Sequence, residues 1–154
     1  MQARTTAMPQ DDTPRLFCFG LGYSARALAA MLKDEGWRIA GTCRDAGESA
    51  ALAALGYEIY RFDDKAALAG TTHLLSSVPP GPGGDPVLER HGGAISCLPD
   101  LRWAGYLSTT GVYGDRKGGW VDEASPLRPT GLRGQRRRAA EAAWGALGPP
   151  MHLF

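Results

Sequence analysis

A chain of 154 residues, 44% hydrophobic and 21% charged, carries enough apolar material for one buried core, which sets aside the disordered and fibrous classes. Its net charge of +1 gives no general field to attract nucleic acid or an anionic membrane, and no run approaches the roughly 18 apolar residues of a membrane span. Three cysteines (Cys18, Cys43 and Cys97), odd in number and widely spaced, form no CxxC pair and no His/Cys metal pattern, and read as reduced thiols in a cytoplasmic protein.

Residues 1–14 are polar, with Met8, Pro9, Asp11, Asp12 and Pro14, and lack the apolar stretch of a signal peptide, so they read as a disordered lead-in to one domain over 15–154. Strands and helices then alternate, the pattern of a parallel sheet with crossover helices. RLFCFG, residues 15–20, is a short apolar strand ending in glycine. Residues 24–35 follow as a helix with Ser24 as candidate N-cap, Leu28, Met31 and Leu32 on one face, and Gly36 as the stop. WRIAGT, 37–42, is the second strand, and the alanine-rich stretch 48–55 the second helix, closed by Gly56. A third strand over 57–62, a short helix over 64–69 and a fourth strand over 72–77 come next. After a loop at Gly81–Gly84, a weaker helix spans 85–95, interrupted by Gly92 and Gly93. The fifth strand is 103–108, a long Gly-rich loop runs over 110–130, and 132–147 is the last helix. Residues 151–154 look like the start of another strand, and no internal repeat is visible.

The first strand, turn and helix carry chemistry. A pyrophosphate needs backbone N–H groups at close range and a helix N-terminus aimed at it. In Gly20-Leu21-Gly22-Tyr23-Ser24-Ala25, Gly20 permits the tight turn, Gly22 lets the backbone approach the phosphates, and Ala25 lets the helix pack on the strand. The flanking strand and helix supply the context this motif requires. At the tip of the second strand, Cys43 occupies the place of the acid that would bind the ribose of NAD, and Arg44 follows. A guanidinium there suits a 2′-phosphate, which favours NADP over NAD. The alternative leaves Arg44 in solvent and gives the acid to Asp45.

With these residues the chain resembles the extended or atypical short-chain dehydrogenase/reductase superfamily, close to its NAD-dependent epimerase/dehydratase branch. The resemblance runs from Leu16 to Phe154 and rests on FGLGYSA (19–25), STTGVYG (108–114) and VDEASPLRPTGLRGQRRRAAEAA (121–143). It implies a Rossmann-type doubly wound parallel sheet with helices on both faces. It further implies cofactor contacts from Gly20, Gly22, Tyr23, Ser24 and Ala25, from Asp63 toward the adenine, and from Ser76 and Ser77 on the fourth strand. Thr109 falls on the family's catalytic hydroxyl, Gly134 on the glycine and Glu141 on the glutamate of its last motif.

Two central positions depart from the family. Arg133 stands at the catalytic tyrosine and Arg137 at the lysine. Arginine does not lose a proton in proteins, so Arg133 cannot act as the general acid/base. Arg137 keeps the charge and could still meet the ribose or a phosphate. Tyr113, four residues after Thr109, is the candidate substitute acid in that loop, and Asp122 and Glu123 border a candidate substrate site. The chain also stops where the family's sixth strand begins, which implies a truncated sheet with an open edge and no substrate-binding region. The reading is therefore an NADP-favouring domain whose redox activity is weak, altered or lost. Two alternatives stand beside it. One is an active oxidoreductase or epimerase on a sugar-nucleotide-like or small carbonyl substrate. The other is a non-enzymatic cofactor-sensing or interaction module, completed by a homo-oligomer or another chain. The arginine-rich last helix reads as a solvated face rather than a nucleic-acid site.

Overall fold

The computed structural model describes residues 12–148 and 150–154, so the expected lead-in lies almost wholly outside the described residues. Six strands form one sheet: β1 (Arg15–Phe19), β2 (Arg38–Thr42), β3 (Glu58–Tyr60), β4 (His73–Ser76), β5 (Trp103–Tyr106) and β6 (Met151–Leu153). Their order is β3-β2-β1-β4-β5-β6, and every pairing is parallel. The strand order reverses between β1 and β4, which opens a crevice at their carboxyl ends where open sheets of this kind take their ligands.

All five residues of β1 are buried, as a strand covered on both faces must be. Side chains alternate in direction along it. Leu16 and Cys18 pack with Ala25, Ala29, Ile39 and Leu52 on one face, while Phe17 and Phe19 pack with Val87, Ile95, Ala140 and Trp144 on the other. Helices α1 (Tyr23–Asp34) and α2 (Ala46–Ala54) cover the first face, and α3 (Pro86–Ser96) and α4 (Leu132–Gly145) the second.

Several sequence expectations are corrected here. Ser24 lies inside α1, whose N-cap is Gly22. The apolar stripe of α1 is Ala25, Leu28, Ala29 and Leu32, and Met31 is exposed, because a 25-28-29-32 spacing follows one face more closely. The helix α2 starts at Ala46, two residues earlier than expected, because the Asp45 carboxylate accepts from Glu48 N at 2.8 Å and caps it. The short helix expected over 64–69 is a 3-10 helix at Lys65–Leu68. Gly92 and Gly93 do not interrupt α3, which is anchored by Pro86 in its first turn, by the Asp85 cap and by the buried Val87, His91 and Ile95. The long loop holds a 3-10 turn at Thr110–Tyr113. The strand expected at 151–154, by contrast, is present over Met151–Leu153, where Met151, His152 and Leu153 lie in register with Ala104, Gly105 and Tyr106.

Candidate functional site

The carboxyl ends of the strands align in one row, Phe19 beside Ser76, Ser76 beside Tyr106 and Tyr106 beside Leu153. The turn after β1 is fixed from two sides. Gly20 N donates to Thr42 Oγ1 at 2.9 Å, and Leu21 N donates to the Thr42 carbonyl at 2.9 Å, which ties the turn to the tip of β2. Just past β4, Ser77 Oγ donates to the Gly20 carbonyl at 2.6 Å. Gly20 has φ +82, and a Cβ there would stand 2.8 Å from Ser77 Oγ, so glycine is demanded by the turn itself.

Gly22 differs. Its φ of −81 suits any residue, and a Cβ would meet nothing within 4 Å. The α1 N-terminus that it opens carries no side-chain cap and no acidic residue in its first turn. Among the described residues, the amides of Gly22, Tyr23, Ser24 and Ala25 find no intramolecular acceptor. They are the orphan donors of a helix start, with the positive end of the helix dipole behind them. Gly22, Tyr23 and Ser24 are exposed, so these donors face an open approach, while Ala25 is buried under the helix. This set fits a pyrophosphate. At the crevice, Ser76 Oγ is fully buried and has no hydrogen-bond partner among the described residues. A buried hydroxyl left alone carries a desolvation cost.

At the tip of β2, the Arg44 side chain is exposed and has no ion-pair or hydrogen-bond partner among the described residues. Asp45, the alternative ribose acid, has one carboxylate oxygen committed to the α2 cap. Asp63 is exposed just past β3, and its carboxyl is held low by a backbone hydrogen bond and by Arg61, 3.4 Å away.

Beyond β5 the departures from the family motif become physical. Arg133 is exposed in the first turn of α4. Arg137 is buried, donates to the Leu107 carbonyl and lies over the Tyr106 ring, 5.5 Å from its centroid. It is thus turned into the junction of β5 and α4 rather than set on a solvated helix face. Burial pushes the Tyr106 phenol up to about 12, against the pull of the Arg137 cation, so it stays neutral at ordinary pH. Ser108 Oγ donates to Glu141, a second tie between the same two elements. Gly134 is required where α4 meets the 3-10 turn, since a Cβ there would stand 2.5 Å from the Gly111 carbonyl oxygen. Thr109 caps that turn, its Oγ1 accepting from Gly111 N at 3.3 Å, and Tyr113 is half-buried at the turn's end.

The structure therefore gathers Gly20, Gly22, Thr42, Ser76 and Ser77 at the crevice and sets Thr109 and Tyr113 on the turn after β5. Sequence reasoning missed the Thr42 latch, which no motif marks. It also missed an ion pair between Arg26 of α1 and Glu48 of α2 at 2.7 Å, whose partners stand 22 residues apart and share no local pattern.

This strand order, with a glycine turn after β1 opening at the reversal point, defines a Rossmann-type α/β fold. No family pattern and no curated protein matches the chain. Among solved structures, it is 47% identical to a functionally unknown conserved protein from Silicibacter pomeroyi, with a TM-score of 0.86 over 92% of this chain and 51% of that one. It is 18% identical to a proposed epimerase from Burkholderia cenocepacia (TM-score 0.73; 92% of this chain, 53% of that one). A short-chain dehydrogenase/reductase superfamily protein from Agrobacterium tumefaciens with bound NAD shares the fold at 17% identity (TM-score 0.59; 90% and 47%). The chain spans about half the length of these structures. Among the described residues, no helix is long and apolar enough to cross a membrane.

Proposed function

We propose that the chain is the dinucleotide-binding part of an epimerase/dehydratase-like short-chain dehydrogenase/reductase, that it holds NADP(H) in preference to NAD(H), and that its redox activity is weak, altered or lost. The observation that carries the binding is the bare α1 N-terminus. Four amides with no acceptor among the described residues open at the reversal point of the sheet, behind a glycine that the backbone does not need. Gly20, Gly22, Tyr23, Ser24 and Ala25 receive the pyrophosphate. Ser76, the last residue of β4 at the crevice, is assigned to the edge of the cofactor along that strand. Asp63 is assigned to the adenine, and the exposed guanidinium of Arg44 to the 2′-phosphate. The solved relative with bound NAD shares this fold, which supports the cofactor class.

The loss of activity rests on Arg133 and Arg137. Neither can take the part of a tyrosine that gives and receives a proton. Arg137 is also committed to Leu107 and Tyr106, so its share in ribose binding is indirect, through the shape of the β5 end. If any chemistry persists, Thr109 polarises the carbonyl and Tyr113 is the proton source. Free cysteines at positions 18, 43 and 97 suit a reducing, cytoplasmic setting.

Fluorescence titration of NADPH and NADH tests the reading, followed by a turnover assay over a panel of carbonyl substrates. Tighter NADPH binding without turnover is the expected result. Tighter NADH binding refutes the NADP assignment. Turnover that disappears in Thr109→Ala, with binding retained, would replace the inactive reading by an active enzyme.

A further inference from the structure

At the tip of β2 the place of a ribose-binding acid is taken by Cys43, yet a carboxylate reaches the same corner from another element. Glu48, in the first turn of α2, approaches the Cys43 thiol at 3.7 Å and pairs with Arg26 at 2.7 Å. Arg26 belongs to the first turn of α1, and its Nε also donates to the Leu21 carbonyl at 2.7 Å. Its guanidinium therefore curls back over the glycine turn and reaches across to α2. Leu21 in turn is tied to the carbonyl of Thr42, the residue before Cys43. Turn, strand tip and ion pair thus surround one corner of the crevice. The two side chains are 37% and 51% exposed, so the pair can rearrange around a ligand.

Resting on the cofactor reading above, we infer that the Arg26–Glu48 pair sets how strongly the site prefers a 2′-phosphate. Arg44 follows Cys43 at the same strand tip and is exposed, while Arg26 is neutralised by Glu48. A 2′-phosphate entering here meets the exposed charge of Arg44, the compensated charge of Arg26 and the repulsion of the Glu48 carboxylate. A ribose bearing only hydroxyls meets no such repulsion and can donate to that carboxylate. Glu48 thus holds the NADP preference below what two arginines would give.

The test is the dissociation constant of NADPH and of NADH for the wild-type chain, Glu48→Gln, Arg44→Ala and the double variant Arg26→Ala/Glu48→Gln. Removing one carboxylate a few ångströms from a phosphate at a solvent-exposed corner should tighten NADPH about three- to tenfold. NADH should stay the same or weaken slightly. Arg44→Ala should weaken NADPH alone, and the double variant should lose the gain made by Glu48→Gln. A role confined to tying α1 to α2 would move both cofactors together, or move only the melting temperature. That result, or an unchanged NADPH-to-NADH ratio in Glu48→Gln, overturns the inference and leaves the cofactor reading standing. If the wild-type chain binds neither cofactor, the reading and the inference both fall.

Discussion

Tyr106 shows how far a single side chain departs from its ordinary chemistry in this fold. Its hydroxyl is fully buried and makes no well-formed hydrogen bond among the described residues, and the pull of the neighbouring Arg137 offsets only part of its desolvation cost. Tyr106→Phe should therefore cost no stability at neutral pH in urea unfolding, and a gain of up to about 1 kcal/mol is expected. The same residue gives an alkaline signature. In the unfolded chain the phenol ionises near 10, while the folded phenol stays neutral to about 12. The unfolded state loses its proton first, so stability falls as pH rises from 10 to 12, by about 1.4 kcal/mol per pH unit for a single group. The buried Cys18 thiol, pushed from 9.0 to about 12, bends the curve in the same direction from a lower pH. Tyr106→Phe should flatten the limb above pH 10, and an unchanged limb would contradict this origin. At Gly134 the constraint is steric. A methyl group there would press on the Gly111 backbone at 2.5 Å and on Pro129 at 2.9 Å, so Gly134→Ala should cost about 1–3 kcal/mol, read as a lower urea midpoint.

Between elements, the amino ends of three strands are held by one ionic knot. Arg15 is 2% exposed, and its guanidinium bonds Glu58, the carbonyls of Ala67 and Ala69, and Thr71 Oγ1. Glu58 on β3 also pairs with Arg38 on β2 at 2.8 Å. Burial alone would push the Glu58 carboxyl up, but the hydrogen bonds and charges of Arg15 and Arg38 outweigh it and leave the carboxyl below its usual 4.5. The unfolded chain therefore takes up this proton first as pH falls. The stability Glu58 lends is complete above about pH 4.5 and is lost below it. Glu58→Gln should flatten the acid limb of the stability curve. Arg15→Leu should cost about 2 kcal/mol, because it strips the carboxylate and buried carbonyls of their donor. Much of this level was legible in the sequence. The strands, the parallel pattern and the glycine turn follow from short apolar runs and their spacing. What stayed hidden were long-range polar choices. Arg15 reads as the charged edge of a strand until Glu58 and the 3-10 turn close around it. Arg137 reads as part of a solvated arginine stripe until Leu107 and Tyr106 receive it. The early start of α2 needed the Asp45 cap, which turns a loop residue into a helix signal.

In the whole molecule, a well-packed open sheet leaves the α1 start, at its reversal point, unsatisfied for a ligand's sake; α4 also starts without a side-chain cap, on Gly131, but follows β5 rather than the reversal point. The candidate site was legible in part. GxGxxA reports a backbone geometry, and backbone geometry is written locally, so the turn stood out. The corner beside it is assembled from Arg26, Thr42 and Glu48, which meet only through the fold. A variant that separates stability from binding tests the claim most directly. An aspartate at Gly22 would meet no clash, cap the bare α1 amides and place a negative charge at the positive end of the helix. Calorimetric titration of NADPH into the wild-type chain and into Gly22→Asp, with the melting temperature of each, is the measurement. Saturable binding to the wild type is expected. For Gly22→Asp an equal or higher melting temperature is expected, with affinity lower by at least about tenfold, one or more carboxylate–phosphate repulsions at close range. Equal affinity in a folded Gly22→Asp chain, or no saturable binding to the wild type, would contradict that claim.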